Sequence, residues 1–73
     1  MKEEETKEER FKRLASTRTN KILKAINVLG NCSNRQVYSY TERDIEKIFS
    51  AIEAKMKETR VRFIFPKEEK FRL

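Results

Sequence analysis

Few residues in this chain are able to stop a helix. Its 73 residues include one glycine, Gly30, and one proline, Pro66. Glycine and proline are the strongest helix breakers, because glycine loses the most backbone entropy and proline lacks an amide proton. Long stretches are therefore left without an interruption. Together with 41% charged residues, this pattern predicts a charged, mainly α-helical chain rather than a β-sandwich.

The first helix is predicted from Arg10 onwards, where apolar residues recur at helical spacing. At about 100° per residue these side chains fall on one stripe of the helix. Gly30 stands where a left-handed C-cap is favourable, so the helix is expected to end there. The apolar stripe of this helix consists of Phe11, Ala15, Ile22, Ile26 and Leu29.

The start of a second helix is the most specific local signal in the chain. In the segment YTERDI, Thr41 is the expected N-cap and Asp44 its reciprocal acid in a capping box, while Tyr40 and Ile45 form a hydrophobic staple. The helix should run to residue 59 or 60. Its apolar stripe consists of Ile45, Ile48, Phe49, Ile52 and Met56.

The remaining segments are predicted to be tails and short extended pieces. Residues 1–9 are acidic, so we expect a frayed N-terminus or a solvated first turn whose glutamates favour the helix dipole. Residues 37–40 (VYSY) have strand character. Residues 61–65 (VRFIF) indicate a short C-terminal strand, or else an extension of the second helix, and residues 66–73 form a polar tail.

These elements predict a single helical domain over residues 10–65. The two helices would form an antiparallel hairpin with a short extended segment between them, and the C-terminal strand would pair with residues 37–40 of the same or a second chain. A chain of this length has a small core, and the two apolar stripes are wider than one hairpin covers. We therefore expect a homodimer.

Positive charge is segregated along the sequence. Residues 10–40 contain seven Lys and Arg residues and no acid, in a chain of net charge +6. A field of one sign attracts polyanions, although a solvated face is the ordinary alternative. Four of these cations line the side of the first helix opposite its apolar stripe. The predicted nucleic-acid-binding residues are these four, Arg10, Arg13, Lys21 and Lys24 (the basic face), with Lys12 and Arg35 at the margins.

Arg18 is a cation that falls inside the apolar stripe of the first helix. A charge at that position needs either a partner or a route to water. Arg18 would pair with Glu53 of the second helix, in one chain or across a dimer, or its aliphatic stem would cover the core while the guanidinium reaches solvent. It is therefore left out of the predicted phosphate-binding set.

The residues that are missing argue against catalysis. The chain has no His, a single Cys and a single Gly, so it lacks the usual proton-transfer group, a cysteine-rich zinc site and a glycine-rich phosphate loop. We expect no enzyme activity, no metal and no cofactor. The lone Cys32 and the lack of a secretory signal or a long apolar run predict a cytoplasmic protein that does not enter a membrane.

The stretch Arg13–Met56 resembles short uncharacterised proteins carried by plasmids, phages and integrative elements of Gram-positive bacteria. The segments that carry this resemblance are RLAS, RTNKIL, LGNCSN and YTERDIEKIF. Separately, NRQVYSYTERDI is similar to the wing and following helix of MerR-type regulators, where an aromatic pair leads into a Thr-capped helix. One long predicted helix precedes this segment, whereas MerR-type regulators have a helix-turn-helix there.

Two functional hypotheses follow. In the first, the chain is a small accessory or regulatory protein of a mobile genetic element that binds nucleic acid, with double-stranded DNA favoured over RNA, through the basic face. In the second, it is a protein-interaction module, an inhibitor or adaptor of a host defence or replication protein, without nucleic-acid contact.

Overall fold

Two α-helices make up most of the chain in the computed structural model, which describes residues 4–65 and 73. Helix α1 spans Lys7–Gly30 and helix α2 spans Glu42–Arg60. A short 3-10 helix, Asn31–Ser33, follows α1 directly. The part of the chain that the structure describes contains no β-strand. The prediction of a mainly α-helical chain is confirmed.

The chain divides into two units, each built around one helix. Met1–Ser39 contains α1, and Tyr40–Leu73 contains α2. An isolated helix cannot bury its own apolar stripe, and large apolar side chains such as Phe11 and Phe49 are exposed. The antiparallel hairpin, the single domain over residues 10–65 and the homodimer stay predictions.

Helix α1 begins with a capping box, three residues earlier than predicted. The Thr6 hydroxyl accepts a hydrogen bond from the Glu9 amide at 3.1 Å, and the Glu9 carboxylate accepts one from the Thr6 amide at 3.3 Å. These bonds satisfy two amides that the first turn leaves without helical partners. Of the two alternatives for the N-terminal segment, the solvated first turn is confirmed for residues 7–9 and fraying is wrong for them, whereas residues 1–3 lie outside the described residues.

The end of α1 does not use glycine in the way that the sequence suggested. Gly30 has φ −58° and ψ −26°, which is right-handed helical backbone rather than a left-handed cap. The reason is that the chain continues into the 3-10 helix, with the Asn31 amide donating to the carbonyl of Val28. Gly30 is thus an ordinary helical residue at the point where α1 passes into the 3-10 helix.

A turn replaces the strand that was predicted before the second helix. The Asn34 carbonyl accepts hydrogen bonds from the amides of Val37 and Tyr38, at 3.1 and 2.9 Å. The Asn34 side chain accepts a third bond from the Gln36 amide at 3.0 Å. The prediction of strand character at 37–40 is wrong. The first amides of this segment donate hydrogen bonds to Asn34, so they are not available to a partner strand.

The predicted start of helix α2 is confirmed. The Thr41 hydroxyl accepts a hydrogen bond from the Asp44 amide at 3.1 Å, and the Asp44 carboxylate accepts one from the Thr41 amide at 2.9 Å. Tyr40 and Ile45 are both half-buried, as a hydrophobic staple requires. Local side-chain chemistry is sufficient to define this helix start.

Helix α2 ends at Arg60 in a helical turn and not in a strand. The amides of Arg62 and Phe63 donate to the carbonyls of Thr59 and Arg60, at 3.0 and 3.1 Å. The prediction of a strand at 61–65 is wrong, since the amides of residues 62 and 63 bond back to the end of α2. The alternative, an extension of the second helix, holds only for this one turn, because α2 itself ends at Arg60. The predicted tail lies outside the described residues except for Leu73, which is exposed.

Candidate nucleic-acid interface

The four residues of the basic face all lie on α1, which is one uninterrupted helix. From Arg10 to Lys24 the helix rises by about 21 Å, at 1.5 Å per residue. No acidic residue follows Glu9 within α1, and all four cations are exposed. The predicted phosphate-binding side chains therefore all lie on a single uninterrupted helix.

The N-terminal half of this face, Arg10 and Arg13, already holds an anion. Nε and Nη2 of Arg13 donate to the two carboxylate oxygens of Glu5, at 2.8 and 2.9 Å. Nε of Arg10 lies 3.7 Å from Oε1 of the same carboxylate. The Glu5 side chain keeps 30% of its surface exposed, whereas that of Arg13 keeps 59%. We call Arg10 and Arg13 the paired half of the basic face.

The protonation equilibria of this group reflect the same contacts. The hydrogen bonds from Arg13 hold the pKa of the Glu5 carboxyl below its ordinary value, and the charge of Arg13 and a bond from Arg10 act in the same direction. In return, the bonds to Glu5 raise the pKa of the Arg13 guanidinium. Partial desolvation opposes both effects. Glu5 is therefore ionised at neutral pH.

The C-terminal half of the basic face carries no such anion. Lys21 and Lys24 are exposed on α1, and within residues 4–39 neither forms an ion pair. Their backbone positions lie about 12 to 17 Å along the helix axis from that of Arg13. We call these two residues the open half.

The two marginal residues of the predicted site, Lys12 and Arg35, lie on different elements of the chain. Lys12 forms an ion pair with Glu8, one turn earlier on α1, at 3.1 Å, and both side chains are exposed. Its helical position is on the flank away from the basic face. Arg35 is exposed in the turn that follows the 3-10 helix, so it is not part of the helical surface. Arg18 is exposed on α1, and its pairing with Glu53 stays a prediction.

Glu5 is the residue that sequence reasoning missed. The signal was present in the sequence, since Thr6 and Glu9 have the spacing of a capping box. That box places Glu5 at the position before the N-cap and Arg10 at the fourth helical position, which are the two positions of a hydrophobic staple. In α1 an ion pair takes the place of the apolar contact.

No protein-family model, curated protein or solved structure matches the chain. Over residues 4–65 and 73, no three His, Cys, Asp or Glu side chains converge as metal ligands would. In that same part of the chain, neither helix combines the length and the apolar character that crossing a bilayer demands.

Proposed function

We propose that this chain binds nucleic acid, as an accessory or regulatory protein of a mobile genetic element, and that the basic face of α1 contacts the phosphates. The observation that carries the proposal is the continuity of α1. One helix presents four cations along about 21 Å, and no acidic residue lies between them in the sequence. Duplex DNA carries one charge per about 1.7 Å of its axis, so several phosphates lie within reach of such a helix.

The two halves of the face contribute differently to this proposal. The open half, Lys21 and Lys24, offers two charges that have no anion beside them in their own unit. The paired half offers guanidinium groups that suit phosphate geometrically but already hold a carboxylate. The lysines of the open half are therefore the first residues to test.

The test is a binding titration with a labelled DNA duplex of mixed sequence and a single-stranded control. Replacement of Lys21 and Lys24 by Gln should weaken duplex binding at low salt. The matched control replaces Lys47 and Lys57, two exposed lysines of α2, by Gln and so makes the same change in net charge. Equal losses in the two double variants would show that net charge alone matters and would rule out a phosphate-binding face on α1.

A second candidate function is favoured by the exposed apolar residues after α2. Phe63, Ile64 and Phe65 keep 60%, 80% and 85% of their surface exposed. Such a cluster suits a protein partner, for which the chain would act as an inhibitor or adaptor. Replacement of Phe63 and Phe65 by Ser should then abolish capture of that partner, and the wild-type protein should not bind the labelled duplex.

A further inference from the structure

The contact between Glu5 and Arg13 has the geometry by which arginine also binds phosphate. Two parallel N–H donors of one guanidinium face two oxygens of one carboxylate, at 2.8 and 2.9 Å. Planar, bidentate recognition of this kind serves carboxylates and phosphates alike. Arg10 and Arg13 are three residues apart, and side chains at that spacing are neighbours on a helix. Together they surround one oxyanion.

Glu5 is not part of the helix that carries these arginines. It lies before the N-cap residue Thr6 and is eight residues from Arg13 in sequence. Its carboxylate can therefore leave the arginines while the backbone hydrogen bonds of α1 remain in place. The capping box at Thr6 and Glu9 also involves neither Arg10 nor Arg13.

We propose that Arg10 and Arg13 form one oxyanion site, that Glu5 is its resident occupant, and that a phosphate of nucleic acid displaces Glu5. This inference rests on the proposed function, and it adds a step of anion exchange to it. The open half, Lys21 and Lys24, makes the first contact because no anion has to leave. The paired half then exchanges one carboxylate for one phosphate.

The exchange is feasible because exposed ion pairs are weak. The Arg13 side chain is more than half exposed, and water and salt compete for both partners. Loss of such a pair changes an equilibrium by only about two- to fivefold. Removal of the Glu5 charge should therefore strengthen DNA binding by about two- to fivefold at low salt.

The experiment compares Glu5→Gln with Glu8→Gln in the full chain, with a mixed-sequence DNA duplex as the probe. Both variants lose one negative charge from the same end of α1, but Glu8 is paired with Lys12 and not with the basic face. Glu5→Gln should give the larger gain in affinity. That gain should disappear when Arg13→Gln is also present, whereas the effect of Glu8→Gln should not depend on Arg13.

A second measurement follows the displaced group itself. The carboxyl carbon of Glu5, observed by NMR, should shift at saturating duplex towards the value that it has in the DNA-free Arg13→Gln protein. A Glu5 signal that stays unchanged while the duplex binds would overturn the exchange and leave the proposed function intact. Equal gains from Glu5→Gln and Glu8→Gln would do the same. If the wild-type protein and both Gln variants all fail to bind the duplex at low salt, the proposed function and the exchange fail together.

Discussion

Glu5 and Arg13 are joined by two hydrogen bonds across the start of α1, with the carboxylate accepting both from one guanidinium at 2.8 and 2.9 Å. Because these bonds favour the ionised carboxylate, the pKa of Glu5 lies below its ordinary value. The pair therefore stabilises the start of α1 above the pKa of a glutamate in the unfolded chain. That contribution is lost as the pH falls through the lowered pKa.

The first prediction concerns this titration. The Glu5 carboxyl, followed by NMR against pH, should have a lower midpoint in the wild-type protein than in the Arg13→Gln protein. The cause is the loss of the two hydrogen bonds and of the neighbouring positive charge. Identical midpoints in the two proteins would show that the pair does not persist in solution.

The second prediction concerns the two capping boxes. Thr6→Ala and Thr41→Ala should each cost about 1 kcal/mol of helix stability, because each leaves the amide at the third helical position without its acceptor. Far-UV circular dichroism during thermal unfolding measures the loss. Thr19→Ala, at an exposed position inside α1, is the control and should be neutral or slightly stabilising. Equal losses at all three positions would contradict the assignment of the caps.

The third prediction concerns Gly30, whose backbone is right-handed helical. Apart from the two neighbouring residues and the nearby backbone of the helix itself, no atom lies within 4 Å of the position that a Cβ would take there. Gly30→Ala should therefore stabilise the end of α1, by up to about 1 kcal/mol, through the better helix propensity of alanine. Urea unfolding of the two proteins tests this. A destabilised Ala variant would instead support a left-handed cap.

The fourth prediction concerns the salt dependence of DNA binding. Each phosphate neutralised contributes about −0.9 to the slope of log K against log salt. Replacement of Lys21 and Lys24 by Gln should make that slope shallower by about 1.8, and the Lys47 and Lys57 control should leave it unchanged. A wild-type affinity that is independent of salt would contradict any phosphate contact.

The fifth prediction concerns self-association through the apolar stripe of α1. Ile22 and Leu23 are 57% and 58% exposed, but only Ile22 lies on the stripe. If the stripes are buried in a homodimer, Ile22→Ser should reduce the free energy of dimerisation by about 1.5–3 kcal/mol for each Ile22 side chain that the dimer buries. Leu23→Ser should have little effect. Sedimentation equilibrium measures both, and a monomeric wild-type protein would rule out the dimer.

Features that depend on neighbouring residues could be predicted from the sequence. The capping box at Thr41 and Asp44 and the end of α2 at Arg60 were both predicted, because hydrogen bonds over three or four residues decide them. The box at Thr6 and Glu9 obeys the same rule. It was not identified, because the acidic stretch without apolar residues was expected to fray or to form only a solvated first turn. Its sequence signature was nevertheless complete.

Strands and glycine conformation were predicted less well, for a different reason. Strand propensity at 37–40 and 61–65 has no effect unless a partner strand supplies hydrogen bonds, and in both segments amides bond to nearby carbonyls instead. Gly30 is permissive by nature, so its presence allows a left-handed cap without requiring one. In each case the sequence allowed more than one backbone conformation, and the hydrogen bonds formed in the folded chain decided which one was adopted.

By itself, the sequence determined two amphipathic helices, their N-terminal capping boxes and a basic face on α1, because helical periodicity and capping act over a few residues. Only the three-dimensional structure showed that half of this face is already occupied. Glu5 reaches Arg13 across eight residues, by way of an extended N-cap and almost two helical turns. A charge count cannot reveal such a pair, since it depends on where the chain directs a side chain that lies outside the helix.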